Sequence, residues 1–144
     1  MFTLLERKTI SNLKESKEKP EKEAIESSVI FKNVSFAYPS KPGKLILDQI
    51  DLVFEKGKKT AIVGESGCGK STIISLIERF YEINSGTILL GDTDIIKYDL
   101  EYYRGLIGYV PQEPVLFNTS IKENIIFGRS GINESQLNEV IIPL

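Results

Sequence analysis

The nine residues 64–72, GESGCGKST, constrain the fold of this chain more than any other feature. They match G-x-x-x-x-G-K-[ST], a glycine-rich pattern that cradles phosphates, and we call them the P-loop. Residues 60–63 before it predict a short buried strand, and residues 73–80 after it predict an apolar helix. A strand, a glycine loop and a helix together direct backbone N–H groups and the positive end of a helix dipole at an anion. The pattern alone leaves open a glycine turn followed by an exposed lysine.

Two side chains of the P-loop carry the expected chemistry. We expect Lys70 to reach the β- and γ-phosphates of a nucleotide and the Ser71 hydroxyl to take a coordination position of Mg²⁺. The pattern specifies a nucleotide phosphate, without specifying the base or the reaction.

Composition excludes several classes of protein. The 144 residues are enough for one domain with a core, and a net charge of −2 gives no reason to expect nucleic-acid binding. The single cysteine, Cys68, cannot form an internal disulfide and suits a reducing compartment. No apolar run approaches the roughly 18 residues of a membrane span, and no signal peptide is visible. The chain contains no histidine.

Alternation, turn residues and capping patterns predict the order of the elements. Residues 14–26 contain almost nothing apolar, their charges nearly cancel, and Pro20 interrupts them, which is typical of a solvated linker, with a short charged helix as the alternative. Beside the P-loop strand, we expect strands over residues 29–36, 45–54, 86–91 and 106–110. Besides the P-loop helix, we expect helices over residues 99–104 and 120–127, and a last helix capped at residues 133–136 and stopped by Pro143. Early strands without intervening helices favour a mixed sheet, to which the P-loop unit adds a parallel core.

Three further segments indicate a family. They are FAYP at residues 36–39, SGTILLG at residues 85–91, and YVPQEPVLFNTSIKENI at residues 109–125. In this order and spacing with the P-loop, they closely resemble the nucleotide-binding domain of an ABC transporter, in the multidrug-exporter, P-glycoprotein-like branch. The resemblance covers residues 30–140.

The resemblance implies a fold and a domain organisation. The fold class is α/β, a P-loop NTPase with an ABC-type ATP-binding core and an antiparallel β subdomain. Residues 1–27 would be a charged linker that follows a transmembrane domain missing from this chain. Residues 28–144 would be the N-terminal part of the nucleotide-binding domain, truncated before the signature motif and the later core strands.

The resemblance also assigns roles to residues outside the P-loop. Tyr38 would stack on adenine, or alternatively be a turn tyrosine that packs on the sheet. Gln112 would coordinate Mg²⁺ or orient the attacking water, or alternatively be a surface glutamine. Val115, Leu116 and Phe117 would face the coupling helices of the membrane domain, or alternatively pack in a core.

The resemblance implies ATP and Mg²⁺ as cofactors, with Lys70 and Gln112 as catalytic residues and Ser71 and Gln112 as metal ligands. The residues expected to contact the nucleotide are Tyr38, Gly64, Glu65, Ser66, Gly67, Cys68, Gly69, Lys70, Ser71, Thr72 and Gln112. The expected partners are the transmembrane domain of an exporter and a second nucleotide-binding domain in a head-to-tail dimer, without nucleic acid. The nucleotide-binding part would lie on the cytoplasmic side of a membrane.

Several parts of the family pattern do not occur in these residues. The sequence has no LSGGQ-type signature, no apolar strand ending in Asp-Glu and no histidine. We therefore expect negligible ATP hydrolysis by this polypeptide alone. We also expect the strand at residues 60–63 to lack its neighbour on one side, which would leave the isolated chain marginally stable, aggregation-prone or partly molten. A truncated gene model, a retained intron, a pseudogene fragment and an expressed short isoform would each explain the divergent end at residues 142–144.

Three functions follow from these patterns. The first is ATP binding that, with hydrolysis in a full-length parent, powers export across a membrane. The second is a non-catalytic nucleotide-binding or interaction module that docks on an intact transporter. The third is another P-loop enzyme, such as a GTPase or small-molecule kinase, although no Asn-Lys-x-Asp base-reading motif or lid is evident.

Overall fold

The structure is a computed structural model that describes residues 19, 27–128, 131 and 133–141. The predicted linker at residues 14–26 and the predicted helix stop at Pro143 lie outside the described residues, Lys19 excepted. The chain divides into two compact units, Met1–Gly108 and Tyr109–Leu144, and each is described by itself.

The first unit is built on a four-stranded antiparallel sheet. Its strands are β1 (Val29–Ala37), β2 (Leu45–Phe54), β3 (Ser85–Leu90) and β4 (Thr93–Asp94), in the order β2-β1-β3-β4. In the central strand, Val29 pairs with Phe54 on one side and with Leu90 on the other. The predictions for the first three strands are confirmed to within one residue, because alternating apolar residues bounded by turn residues specify a half-buried strand.

The helices of the first unit are α1 (Lys70–Ile77) and α2 (Leu100–Gly105), with a 3₁₀ turn at Ile95–Lys97. The Asp99 side chain accepts a hydrogen bond from the backbone N–H of Tyr102 and so caps α2. Apolar side chains from the sheet, α1 and α2 form one buried cluster, which comprises Phe31, Val34, Phe36, Leu47, Ile73, Leu76, Ile88, Leu90, Ile95, Tyr98 and Tyr103. This core fixes α1, and hence the P-loop that precedes it, against the sheet.

The second unit contains α3 (Ile121–Ile126) and α4 (Glu134–Ile141). The capping box predicted for Ser120 and Glu123 is confirmed, because each side chain accepts the other residue's backbone N–H. The hydrogen bond from the Ser120 N–H lowers the pKa of the Glu123 carboxyl. Asn133 and Gln136 make the same reciprocal pair at the start of α4, which confirms its predicted cap.

Two predicted strands are absent. Residues 60–63 and 106–110 are irregular, and the Val63 and Val110 side chains are 90% and 88% exposed. Every strand pair among the described residues is antiparallel, so the parallel core and mixed sheet expected there are not formed. The physical reason is that a strand needs a hydrogen-bonded neighbour, and the described residues supply none to either segment.

Candidate nucleotide-binding site

The backbone of the P-loop takes a conformation that requires glycine. Gly67 and Gly69 have φ values of 83° and 98°, in the left-handed region that glycine adopts without strain. A Cβ on Gly69 would lie 2.9 Å from Leu47 Cδ2, and a Cβ on Gly64 would lie 2.7 Å from Cys68 Sγ. The loop therefore packs closely on β2 at Gly69 and on itself at Gly64.

The Lys70 side chain folds back onto the first residues of the P-loop. Its ammonium donates to the carbonyl oxygens of Gly64 at 2.8 Å and Glu65 at 2.6 Å, and lies 3.8 Å from Cys68 Sγ. These contacts span the loop from its first residues to the first residue of α1. The loop therefore keeps a positive charge beside its own backbone, and a bound anion would replace these contacts of the ammonium.

The first turn of α1 is open to an anion. Its N-cap is Gly69, no side chain caps it, and its first turn contains no acidic residue. Unpaired N–H groups and the helix dipole favour a negative charge there. Together with the glycine backbone and the Lys70 ammonium, this end of α1 fits the phosphates of a nucleotide.

Ser71 is the P-loop residue suited to Mg²⁺. It is exposed in the first turn of α1. Among the residues that the structure describes, no group of three histidine, cysteine, aspartate or glutamate side chains could hold a metal ion. Since Mg²⁺ commonly keeps water and phosphate oxygens as ligands, a single serine hydroxyl fits a nucleotide-bound Mg²⁺ rather than a separate metal site.

Tyr38 lies beside the P-loop helix. It directly follows β1, and its hydroxyl is 2.9 Å from that of Thr72, a buried residue of α1. The half-buried Tyr38 ring also packs against the core, as the alternative interpretation expected. The structure thus brings Tyr38 and the P-loop together, and stacking on adenine stays a prediction.

Two residues of this region were not predicted from the sequence. Tyr81 packs edge-on against Tyr38, with the ring centroids 5.1 Å apart. The Asn84 side chain accepts the backbone N–H of Ala37 at 2.6 Å. Both residues lie between α1 and β3, where a tyrosine and an asparagine are typical of an ordinary connection, so no sequence pattern indicated either contact.

The remaining predicted residues are Gln112 and residues 115–117, which belong to the second unit. Gln112 is exposed there, and its role stays a prediction. Val115 and Leu116 are 84% and 75% exposed, so packing in a core does not account for them. Phe117, which is 50% exposed, stacks on Phe127 with the ring centroids 4.2 Å apart.

The far end of α1 is held by α2. The Tyr103 hydroxyl donates to the Ile77 carbonyl, and Arg104 donates to the carbonyls of Glu78 and Arg79, all at 2.9–3.0 Å. Glu78 is buried, and burial raises the pKa of its carboxyl although the Arg104 charge opposes this rise. Burial also raises the pKa of the Tyr103 hydroxyl well above its ordinary range.

Comparison with known proteins decides the family. The family model for the ABC transporter matches residues 47–143, which include the whole P-loop and Gln112. The chain belongs to the ABC transporter family. The predicted fold class, an ABC-type P-loop NTPase, is thereby confirmed, and the antiparallel sheet is its expected β subdomain. Membership of this family implies that the site takes ATP.

Individual relatives place the chain in the branch that the motifs indicated. "ABC transporter B family member 1" of Dictyostelium discoideum is 51% identical over 74% of this chain. "ATP-binding cassette sub-family B member 5" of Mus musculus is 44% identical over 81% of it. "ATP-dependent permease MDL1, mitochondrial" of Saccharomyces cerevisiae is 50% identical over 69% of it. The matched regions span 12%, 9% and 14% of these three relatives.

Within the described part of this ABC transporter chain, no helix has the length and hydropathy needed to cross a bilayer.

Proposed function

We propose that this chain binds MgATP at the P-loop as the nucleotide-binding part of an ABC exporter. The observation that carries this function is the position of the Lys70 ammonium, which lies on the loop carbonyls beside the uncapped N-terminus of α1. An ammonium, free helical N–H groups and an exposed glycine backbone form a site for a polyphosphate.

Each predicted residue would have a physical task in nucleotide binding. Lys70 would offset the charge of the β- and γ-phosphates, while the backbone of residues 64–69 donates N–H groups to them. Ser71 would hold Mg²⁺, which neutralises phosphate charge when it is bound. Tyr38 would stack on the adenine base, and Gln112 would coordinate Mg²⁺ or orient water.

The role of the whole transporter is inferred from the family. ATP hydrolysis in the assembled protein would power export of a substrate. The chain would work with a transmembrane domain and with a second nucleotide-binding domain in a head-to-tail dimer, on the cytoplasmic side of the membrane. The printed names of the relatives, an ATP-dependent permease and ABC transporters of the B family, support this role.

The first test is a titration of the chain with MgATP by calorimetry. We expect Lys70→Ala to weaken binding about 10- to 100-fold, because a hydrogen bond to a charged group contributes about 1.5–3 kcal/mol. Lys32→Ala is the matched control, since it removes the same charge from an exposed position on β1. It should bind MgATP like the unaltered chain.

Two outcomes would contradict the proposed site. One is a Lys70→Ala chain that binds MgATP with unchanged affinity. The other is equal weakening by Lys70→Ala and Lys32→Ala, which would indicate attraction by overall charge rather than a P-loop contact.

A further inference from the structure

Tyr38 belongs to a cluster of three aromatic rings, which we call the aromatic cluster. The Tyr38 ring centroid lies 5.0 Å from that of Phe36 and 5.1 Å from that of Tyr81, with interplanar angles of 78° and 89°. The third pair, Phe36 and Tyr81, has centroids 5.7 Å apart. Edge-to-face contacts of this kind restrict the orientation of each ring.

The segment that contains Tyr81 also holds the backbone next to Tyr38. The Asn84 side chain accepts the N–H of Ala37, and the Asn84 N–H donates to the carbonyl of Ser35 at 2.9 Å. The end of β1 is thus attached to the segment that directly follows α1. Because the Tyr38 hydroxyl also meets Thr72 inside α1, every one of these contacts ties Tyr38 to the P-loop helix or to the residues after it.

We propose that Tyr81 is a positioning residue of the nucleotide site, which fixes the Tyr38 ring relative to the P-loop so that a purine base stacks on it while the phosphates occupy the loop. This role rests on the proposed MgATP binding. Its physical basis is pre-organisation: a ring that is already fixed loses little side-chain freedom when the base binds.

Tyr81 differs from a residue that only fills the core. It is 37% exposed, whereas Phe36 in the same cluster is 1% exposed. If Tyr81 acts through Tyr38, its loss affects recognition of the base and spares recognition of the phosphates. If it merely supports the fold, its loss affects both ligands alike.

The experiment compares two probes on the 144-residue chain, MgATP and magnesium-bound inorganic tripolyphosphate, which lacks the base and ribose. We expect Tyr81→Leu to weaken MgATP binding about two- to tenfold, the value of one edge-to-face contact, and to leave tripolyphosphate binding unchanged. Tyr81→Phe keeps the ring and should bind both probes normally. Tyr102→Leu is the matched control, because Tyr102 is also 37% exposed, and should change neither affinity.

Binding of tripolyphosphate reports whether each variant retains a folded P-loop. Equal weakening of both probes by Tyr81→Leu, or no weakening of either, would overturn the role of Tyr81. If instead the proposed function is wrong, Lys70→Ala will leave the affinity for both probes unchanged, and this result distinguishes the two cases. A Tyr81→Phe chain as weak as Tyr81→Leu would also overturn the role, because the ring itself would not be what positions Tyr38.

Discussion

At the scale of single residues, burial and a neighbouring charge have opposite effects on the pKa of Glu78. Its side chain is buried at the C-terminal end of α1, and Oε1 has no hydrogen-bond partner among the described residues. A buried carboxylate costs free energy unless charges or donors compensate it. The neighbouring Arg104 guanidinium compensates it only in part, since its donors go to backbone carbonyls and the pKa of Glu78 remains raised.

This raised pKa makes the stability of the chain depend on pH. The contribution of Glu78 to stability is fully present below the pKa of the unfolded chain, near 4.5, and is lost as the pH rises through the folded-state pKa. We therefore expect Glu78→Gln to raise the free energy of unfolding at pH 7 and to give no gain near pH 4. Urea titrations across this range measure the effect.

The control for Glu78→Gln is Glu82→Gln at an exposed position. A similar gain from both substitutions would indicate relief of net negative charge rather than of a buried carboxylate. A loss of stability at pH 7 in Glu78→Gln alone would contradict the account.

At the scale of elements, α2 acts as the C-terminal cap of the P-loop helix. The last carbonyls of a helix have no partner within it. Here Tyr103 donates to the carbonyl of Ile77, the last residue of α1, and Arg104 donates to those of the next two residues, Glu78 and Arg79. The Arg104 guanidinium also lies 5.0 Å from the centroid of the Phe80 ring. The position of α1 thus depends on a helix that begins 30 residues after the P-loop lysine, from Lys70 to Leu100.

Removing these donors should loosen the end of α1. We expect Arg104→Met, which keeps an unbranched side chain but leaves two carbonyls without their donor, to lower the free energy of unfolding by about 1–3 kcal/mol. Tyr103→Phe removes a single hydrogen bond and should cost about 1 kcal/mol. Chemical denaturation at pH 7 measures both, and an Arg104→Met chain as stable as the unaltered one would exclude the capping role.

Some of the strands and helix caps could be predicted from the sequence, and others could not. The strands β1, β2 and β3 were predicted because local alternation and turns specify them, and the caps of α3 and α4 because they are made within a few residues. The pattern at residues 60–63 and 106–110 is equally apolar, yet neither segment is a strand. Their state depends on backbone partners elsewhere in the chain, which no local pattern contains.

The candidate site shows the same difference between local structure, which the sequence predicts, and long-range contacts, which it does not. Gly64, Gly69 and Lys70 were predicted because the P-loop is a local structure whose geometry follows from consecutive residues. The contacts of Tyr38 with Thr72 and Tyr81 join residues more than 30 positions apart, and only the fold reveals them.

At the scale of the whole molecule, the two units carry different predicted residues. The P-loop, Tyr38 and Tyr81 belong to the first unit, and Gln112 belongs to the second. The first unit thus contains the contacts of Lys70 with its loop and those of Tyr38 with Thr72 and Tyr81. Since the chain matches only 9–14% of the length of the three relatives compared above, the tests proposed for it concern MgATP binding rather than transport.

Amide hydrogen exchange with and without MgATP shows whether the P-loop backbone holds the phosphates. If the P-loop backbone cradles the phosphates, exchange in residues 64–72 slows when MgATP binds, while exchange in α2 stays unchanged as the internal comparison. MgATP that binds to the chain without slowing exchange in residues 64–72 would contradict the account, because the phosphates would then lie elsewhere.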